Sequence, residues 1–495
     1  MADTLQGLQK INIIPNKNYK KSGTKSYVHL LSKWGFEPTM PGPYGQMVKA
    51  LEEGEKHEDP ASRDFQTTKI GEVPAEDIQN DSLYLCPVQI GSPAQTLYLD
   101  FYTGSSDLWV WSTLLDSSAR SQPGHTTYDP SNSSTFKSMN GASWEIRYGD
   151  NSHASGAVGT DTITLGGLAV ESQAIELAKD LSDQFLQSPG DGLLGLAFGS
   201  INTVQPNRVH TPVENLILQG SIPTSSQVFA AKLGSWRDAN EDDQGQGFYT
   251  FGYIDQDTIT ASGQSLAWTP ISSSSGFWQF TSAQSTVNGT TVSQSSRNTA
   301  IADTGTTLAL VSDAVCEAVY SAIPNAYYDY NSQGWVYPEN TPLSDLPVVT
   351  IAVGQHQVII QKEDLGFASV GDGNVYGGIQ SRGNLPFDIL GDTFLKGIYA
   401  IIVPAQETEK KMDGDQGANT RTDDWSNPTA VQRRVDARDV FEIDETTERH
   451  VLSVNDECQE CLDDVKGQGI ERVVEMLVVG TRARFAGEVE EIGRS

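Results

Sequence analysis

Short runs of Val, Ile, Leu, Phe and Tyr recur between clusters of Gly, Ser, Asn, Asp and Pro, as in Leu83-Tyr84-Leu85, Val88-Gln89-Ile90 and Phe248-Tyr249-Thr250-Phe251. Runs of this length, bounded by turn-forming residues, predict strands: branched and aromatic side chains suit a pleated, half-buried surface, and the turn residues end it. Apolar positions at helical spacing are rare, so the pattern predicts a mainly β protein.

The same pattern divides the chain. Residues 1–75 begin lysine-rich (Lys10, Lys17, Lys20, Lys21, Lys25, Lys33) and turn mixed-charge and polar from Glu52 to Asp64, which predicts a basic segment and a linker. Residues 76–405 are β-patterned, rich in Gly and Ser and poor in Lys and Arg. After Val403-Pro404 the text turns acidic and polar, predicting a largely disordered tail over 406–495 with a short helix or strand within Gly469 to Arg484.

The middle stretch repeats itself weakly. Leu97 to Val110 reads as an apolar strand, then Tyr102-Thr103-Gly104-Ser105, then a second apolar strand; Thr299 to Val311 reads the same way around Asp303-Thr304-Gly305-Thr306. Each copy is followed by an apolar pair and a glycine, in Asp191 to Ala197 and in Phe387 to Asp392. A duplicated lobe with its special loop at one shared interface is the simplest account, with an amino-terminal lobe over 76–253 and a carboxy-terminal lobe over 254–405.

Composition narrows the partners. The 495 residues are 37% hydrophobic, enough to bury a sizeable core, and carry a formal charge of −31. That field repels nucleic acid and anionic membranes, neither of which is expected as a partner, and a monomer is expected. Of the four cysteines only Cys458 and Cys461 form a spaced pair, a poor zinc site without a second pair or nearby histidines. The amino-terminal residues lack the apolar core of a secretory signal, and no apolar run is long enough to span a bilayer. The sequons at Asn80, Asn132 and Asn288 matter only in a secretory compartment.

Asp303-Thr304-Gly305-Thr306 with the later Ile389-Leu390-Gly391 resembles the active-site loop and supporting strand of a pepsin-like aspartic protease, of the fungal penicillopepsin and aspergillopepsin group. Tyr148-Gly149-Asp150 resembles the substrate-covering flap, with Tyr148 at its tip. Asp191 to Phe198, Gly276 to Phe280, Tyr376 to Ser381 and Gly391 to Lys396 follow in family order. Ile14 through Trp34-Gly35-Phe36 resembles the group's propeptide. The resemblance runs from about residue 10 to 403 and implies a bilobal, mainly β fold around a cleft that takes an extended polypeptide, with no cofactor and no metal. It also implies secretion, whereas the signal sequence is absent, which leaves the compartment open. The hairpin that ends such proteins after Tyr399 to Val403 is replaced here by unrelated text.

Family members hydrolyse peptide bonds at acid pH with two aspartates. As is established for aspartic proteases, carboxylates about 3 Å apart cannot both ionise, so the pair shares one proton and is at once the base for a water and the acid for the carbonyl oxygen. The small residues Gly104, Gly305 and Thr306 let backbone amides and a hydroxyl close around them. In this chain Asp303 is one member and Tyr102 stands where the other belongs. A phenol, with an ordinary pKa near about 10, is neutral in acid and lacks the second oxygen that holds a shared proton. Asp100, two residues back on the same strand face and roughly 6.5 Å away, is too distant to replace it; Asp or Asn is common there beside an intact pair.

These features imply an aspartic endopeptidase relative impaired by Tyr102. The alternatives are a peptide-binding pseudoprotease, or a cleft repurposed for acid-base chemistry on a small molecule by Asp303 and the phenol. Trp109 and Trp278 read as core or cleft-wall aromatics, and His153 and His210 as solvated. A propeptide lysine either pairs with the cleft carboxylate or belongs to a solvated basic face; the text does not say which lysine would pair.

Overall fold

The computed structural model describes residues 11–12, 14–15, 22–44, 84–147, 153–187, 190–222, 227–235, 247–264, 266–404 and 474–480. The strand Gln95–Tyr102 shows how the pattern works: Leu97, Leu99 and Phe101 are buried while Thr96 and Tyr98 face outward. Alternation of this kind puts every second side chain into one core.

The repeat in the sequence is a repeat in space. Gln95–Tyr102 runs parallel to Gly192–Gly195, with Tyr102 opposite Gly195, and Leu108–Val110 returns antiparallel on the other side of that strand. In the second copy Thr299–Ala302 runs parallel to Asp388–Leu390, with Ala302 opposite Leu390, and Ala309–Val311 returns antiparallel. In each, the apolar pair lies in the central strand on which the X-Thr-Gly loop rests; the glycine ends that strand in the first copy and follows it directly in the second. The third strand then pairs in parallel with a further strand, Leu168–Leu181 in one copy and Ile379–Ser381 in the other. The first unit belongs to an eight-stranded sheet and the second to a five-stranded one, giving two β-rich lobes on either side of a cleft.

A six-stranded sheet draws on both halves, in the order Ile11–Asn12, Phe248–Phe251, Phe229–Lys232, Ile398–Val403, Val474–Gly480, Ala267–Ile271. Val474–Gly480 is antiparallel to both of its neighbours, so a strand from the acidic carboxy-terminal stretch stands beside Ile398–Val403. Text that reads as unrelated to the family's closing hairpin thus still supplies a strand, because a ladder is made by backbone groups and tolerates many side chains. The rest of that tail, with Cys458 and Cys461, lies outside the described residues, as does the linker over 45–83.

The basic amino-terminal segment contains a helix, Gly23–Lys33. Tyr27, Leu30 and Leu31, at i, i+3 and i+4, form an apolar stripe that packs with Phe36 against Ile301, Leu308, Leu310 and Ile389 of the second unit. Gly23 is required at its close approach, since a Cβ there would lie 2.0 Å from the Tyr376 ring. Cys86 and Cys316 are buried free thiols whose pKa values burial pushes up, so both behave as small core residues. No helix among the described residues is long and apolar enough to cross a membrane.

Candidate functional site

The two X-Thr-Gly loops meet at the ends of their parallel strands. Thr103 and Thr304 lock them together. The Thr103 hydroxyl donates to the Ala302 carbonyl (2.8 Å) and the Thr304 hydroxyl to the Phe101 carbonyl (2.6 Å), while each hydroxyl accepts the other residue's backbone N–H (3.0 and 3.1 Å). Both threonines are buried, so their hydroxyls and backbone N–H groups need partners, and each finds one across the crossing. Beneath the second loop the Asp392 N–H donates to the Thr306 carbonyl (2.7 Å). A Cβ on Gly391 would sit 1.9 Å from that carbonyl oxygen, which leaves room for glycine alone.

The crossing brings Tyr102 and Asp303 to the same point. A Cβ on Gly104 would lie 2.6 Å from the Asp303 carboxyl carbon, and one on Gly305 would lie 2.4 Å from the first ring carbon of Tyr102. Each glycine thus makes room for the special residue of the other loop. Asp303 is fully buried; its Oδ1 accepts the Gly305 N–H (3.0 Å) and its Oδ2 accepts the Thr306 hydroxyl (2.5 Å).

The remaining approach to Asp303 is filled by Lys33, the last residue of the amino-terminal helix. Its Nζ donates to Asp303 Oδ2 (2.7 Å), to the Gly305 carbonyl (2.9 Å) and to Thr306 Oγ1 (3.2 Å), which accounts for all three N–H groups of an ammonium. The same nitrogen lies 4.7 Å from the centre of the Tyr102 ring and 5.2 Å from that of Trp34, within range for a cation on a π face. Trp34 in turn meets Phe277 and Phe387 edge to face. The sequence leaves open which lysine would pair; the geometry selects Lys33, and its position next to Trp34 at the end of the striped helix was the available signal.

Asp100 is buried on the Tyr102 strand, with one carboxylate oxygen lacking a hydrogen-bond partner. Burial holds its carboxyl well above the usual carboxylate range; the Asp303 charge adds to the shift, and Lys33 and a side-chain hydrogen bond with Tyr102 oppose it. The environment therefore favours the protonated acid, which is no base for a water.

Behind the first loop lies a second carboxyl pair. Asp107 Oδ1 accepts from the Thr203 N–H (2.8 Å), the Thr203 hydroxyl (2.9 Å) and Asn202 Nδ2 (3.0 Å), and Glu176 Oε1 also accepts from Asn202 Nδ2 (3.1 Å). Burial raises both carboxyl pKa values, and in Glu176 the Asp107 charge adds to the rise.

Tyr148, Gly149 and Asp150, the expected flap, lie outside the described residues. Trp109 and Trp278 are core aromatics, the Trp278 indole donating to the Leu196 carbonyl (3.0 Å). His153 and His210 are not merely solvated: His153 meets Asp180 at 2.9 Å across a strand pair and His210 meets Glu214 at 3.4 Å. The second contact was legible at i, i+4; the first needed the register of the sheet. Among the described residues no group of three or more His, Cys, Asp and Glu is placed to hold a metal ion.

The family described as eukaryotic aspartyl protease matches residues 83–408. Aspergillopepsin-1 of Aspergillus pseudoglaucus is 40% identical over 332 residues, 67% of this chain and 78% of that protein. Endothiapepsin of Cryphonectria parasitica is 37% identical over 392 residues, 78% of this chain and 86% of that protein. Penicillopepsin-1 of Penicillium rubens is 42% identical over 326 residues, 65% of this chain and 76% of that protein. Among solved structures, an aspartic proteinase from Irpex lacteus superposes with a TM-score of 0.52 at 24% identity, over 65% of this chain and 91% of that one.

Proposed function

Because the chain belongs to the eukaryotic aspartyl protease family, we propose that it is an impaired member whose cleft binds extended polypeptide without turning it over at the family's rate. The observation that carries this reading is Tyr102, placed with its ring against Gly305 and opposite Asp303. Amide hydrolysis by this fold needs one group to take a proton from water while another gives one to the carbonyl oxygen. Asp303 alone supplies one of these roles. The phenol donates a hydrogen bond but has no second oxygen through which to share the proton, and Asp100 is biased toward its neutral form. Loss of one member of such a unit removes about 10³-fold or more of the rate.

The cleft walls support retained binding. Lobes over 76–253 and 254–405 would hold roughly six to eight residues of an extended chain under the Tyr148-Gly149-Asp150 hairpin, by strand addition and side-chain pockets. The amino-terminal segment acts as a propeptide-like plug in a monomer, its Lys33 already lodged against Asp303.

Cleavage of a denatured protein in acid tests the reading, with Lys33→Ala as background so that the plug does not mask turnover. Tyr102→Asp in that background is expected to cleave in a pepstatin-sensitive manner at least about 10³-fold faster than its Tyr102 parent. Equal rates from the two, or pepsin-like turnover by the Tyr102 parent, would overturn it.

A further inference from the structure

We propose that Asn140 and Gly141 form a self-modifying site, at which the asparagine side chain closes on the next main-chain nitrogen, loses ammonia and takes up water to become isoaspartate or aspartate. The site lies away from the X-Thr-Gly loops in sequence, and its chemistry is the same whether or not the cleft turns substrate over. The chain holds two Asn-Gly dipeptides, and the fold treats them oppositely.

Asn140 and Gly141 belong to the strand Lys137–Arg147, whose register with His153–Leu165 passes from Ser138 opposite Gly159 directly to Ser143 opposite Ala157. Met139 to Ala142 therefore stand opposite Val158 alone, a bulge that the ladder register skips. Both residues of the dipeptide are exposed, Gly141 has a φ of 86°, and a Cβ built on it would meet nothing within 4 Å. A left-handed glycine in open space puts no side chain in the way of its own nitrogen. The Ser138 hydroxyl donates to Asn140 Oδ1 (3.2 Å), the oxygen on which negative charge gathers when a nucleophile adds to Cγ.

Asn288 and Gly289 form instead the two-residue turn between Gln284–Val287 and Thr290–Ser293, with φ of 49° and 78°. The Asn288 N–H donates to the Val348 carbonyl (2.8 Å), and Asn288 Oδ1 accepts the Val348 N–H (2.9 Å). Main chain and side chain are pinned to one neighbour, so Cγ swings to the Gly289 nitrogen only after these bonds break.

The step balances with water alone. The Gly141 nitrogen, its proton lost to solvent, adds to Asn140 Cγ; the Cγ–Nδ2 bond breaks and that nitrogen leaves as ammonia. Water then opens the cyclic imide at one of its two carbonyls, which gives aspartate or, with the main chain rerouted through the side chain, isoaspartate. The product carries a new carboxylate and, as isoaspartate, an extra main-chain methylene, both inside the bulge. Because the attacking group is an amide anion, the reaction is slow in acid and faster near neutrality, so the site records time spent outside acid.

Peptide mass spectrometry of the full-length protein, held in neutral buffer and digested at intervals, reads residues 140 and 288 side by side. Asn140 is expected to gain the mass of an amide-to-acid exchange, to take one heavy oxygen from oxygen-18 water, and to yield a product labelled by isoaspartate methyltransferase. Asn288 is expected to convert about 5- to 150-fold more slowly, since two hydrogen bonds must break first. The rate at Asn140 is expected to rise about 10-fold for each pH unit from mild acid to neutrality, as the amide anion does. In Ser138→Ala it is expected to fall by about 2- to 10-fold. Asn140→Gln, whose longer side chain closes the ring far more slowly, is expected to keep the parent Tm and to leave the peptide unchanged. An Asn140 that stays amidated, converts no faster than Asn288, or converts at a rate indifferent to pH overturns the proposal.

Discussion

Lys33 and Asp303 stand 270 residues apart in sequence and 2.7 Å apart in space, a nearly buried lysine closing on a fully buried carboxylate. Taking both charges out of water is costly, so the pair is weak evidence of net stabilisation, but removing one partner leaves the other dry and uncompensated. Lys33→Met is therefore expected to lower the unfolding free energy at neutral pH by about 3–5 kcal/mol, and the double variant with Asp303→Asn to recover most of that loss. Urea denaturation of the four proteins in the cycle measures both. Additive effects would show that the ammonium and the carboxylate are not coupled.

Thr103 and Thr304 are expected to behave as one unit. Either residue changed to valine leaves a buried carbonyl, of Ala302 or Phe101, and an opposing N–H without a partner, at about 1–3 kcal/mol for each group left unpaired. The double variant should lose less than the sum of the singles. Strict additivity in chemical denaturation would count against a shared crossing.

Gly305 is expected to tolerate alanine only when Tyr102 is small. The added methyl meets the Tyr102 ring at 2.4 Å, a contact with a side chain rather than backbone. Overpacking of this kind costs about 1–3 kcal/mol. That cost should fall to near zero in a Tyr102→Ala background, as read from paired Tm values. An equal penalty in both backgrounds would place the clash elsewhere.

Stability is expected to rise as pH falls from about 7 to about 4. Burial pushes the Asp388 carboxyl up to about 6, with Arg382 and the hydrogen bonds from Asn298 and Gln294 opposing the shift. The folded state then holds a proton that the unfolded chain, titrating near about 3.9, has lost. This contribution is fully present below the unfolded value and disappears as pH rises through the folded one. A shift of about 2 units amounts to about 3 kcal/mol. Asp107 and Glu176, both raised by burial, act with the same sign. Denaturation midpoints across this range should fall with pH, and Glu176→Gln should flatten the slope. A midpoint that climbs toward neutrality would contradict the assignment.

Removal of residues 405–495 takes away Val474–Gly480 and leaves the ladders of Ile398–Val403 and Ala267–Ile271 open toward each other. Unpaired edges recruit other strands. The truncated chain is expected to self-associate, with a lower Tm than the full chain, as followed by light scattering. A monomer of unchanged Tm would show that this strand is dispensable.

The sequence by itself determined the two X-Thr-Gly loops, the apolar strands around them and the presence of Tyr102 where a carboxylate belongs. These are local patterns: alternation, turn chemistry and a repeated tetrapeptide are written in adjacent residues. The i, i+3, i+4 stripe of Tyr27, Leu30 and Leu31 and the i, i+4 spacing of His210 and Glu214 are local as well, yet in the sequence the first reads as a basic segment and the second as a solvated histidine, and the structure corrects both. Only the tertiary structure decided that Lys33, of several lysines in its segment, reaches Asp303, and that Tyr102 turns its ring face rather than its hydroxyl edge toward that cation. It also decided that Val474–Gly480 fills the gap beside Ile398–Val403. The reason is that long-range contacts are chosen by shape, burial and unsatisfied backbone groups across hundreds of residues. None of these leaves a mark on the spacing of neighbours.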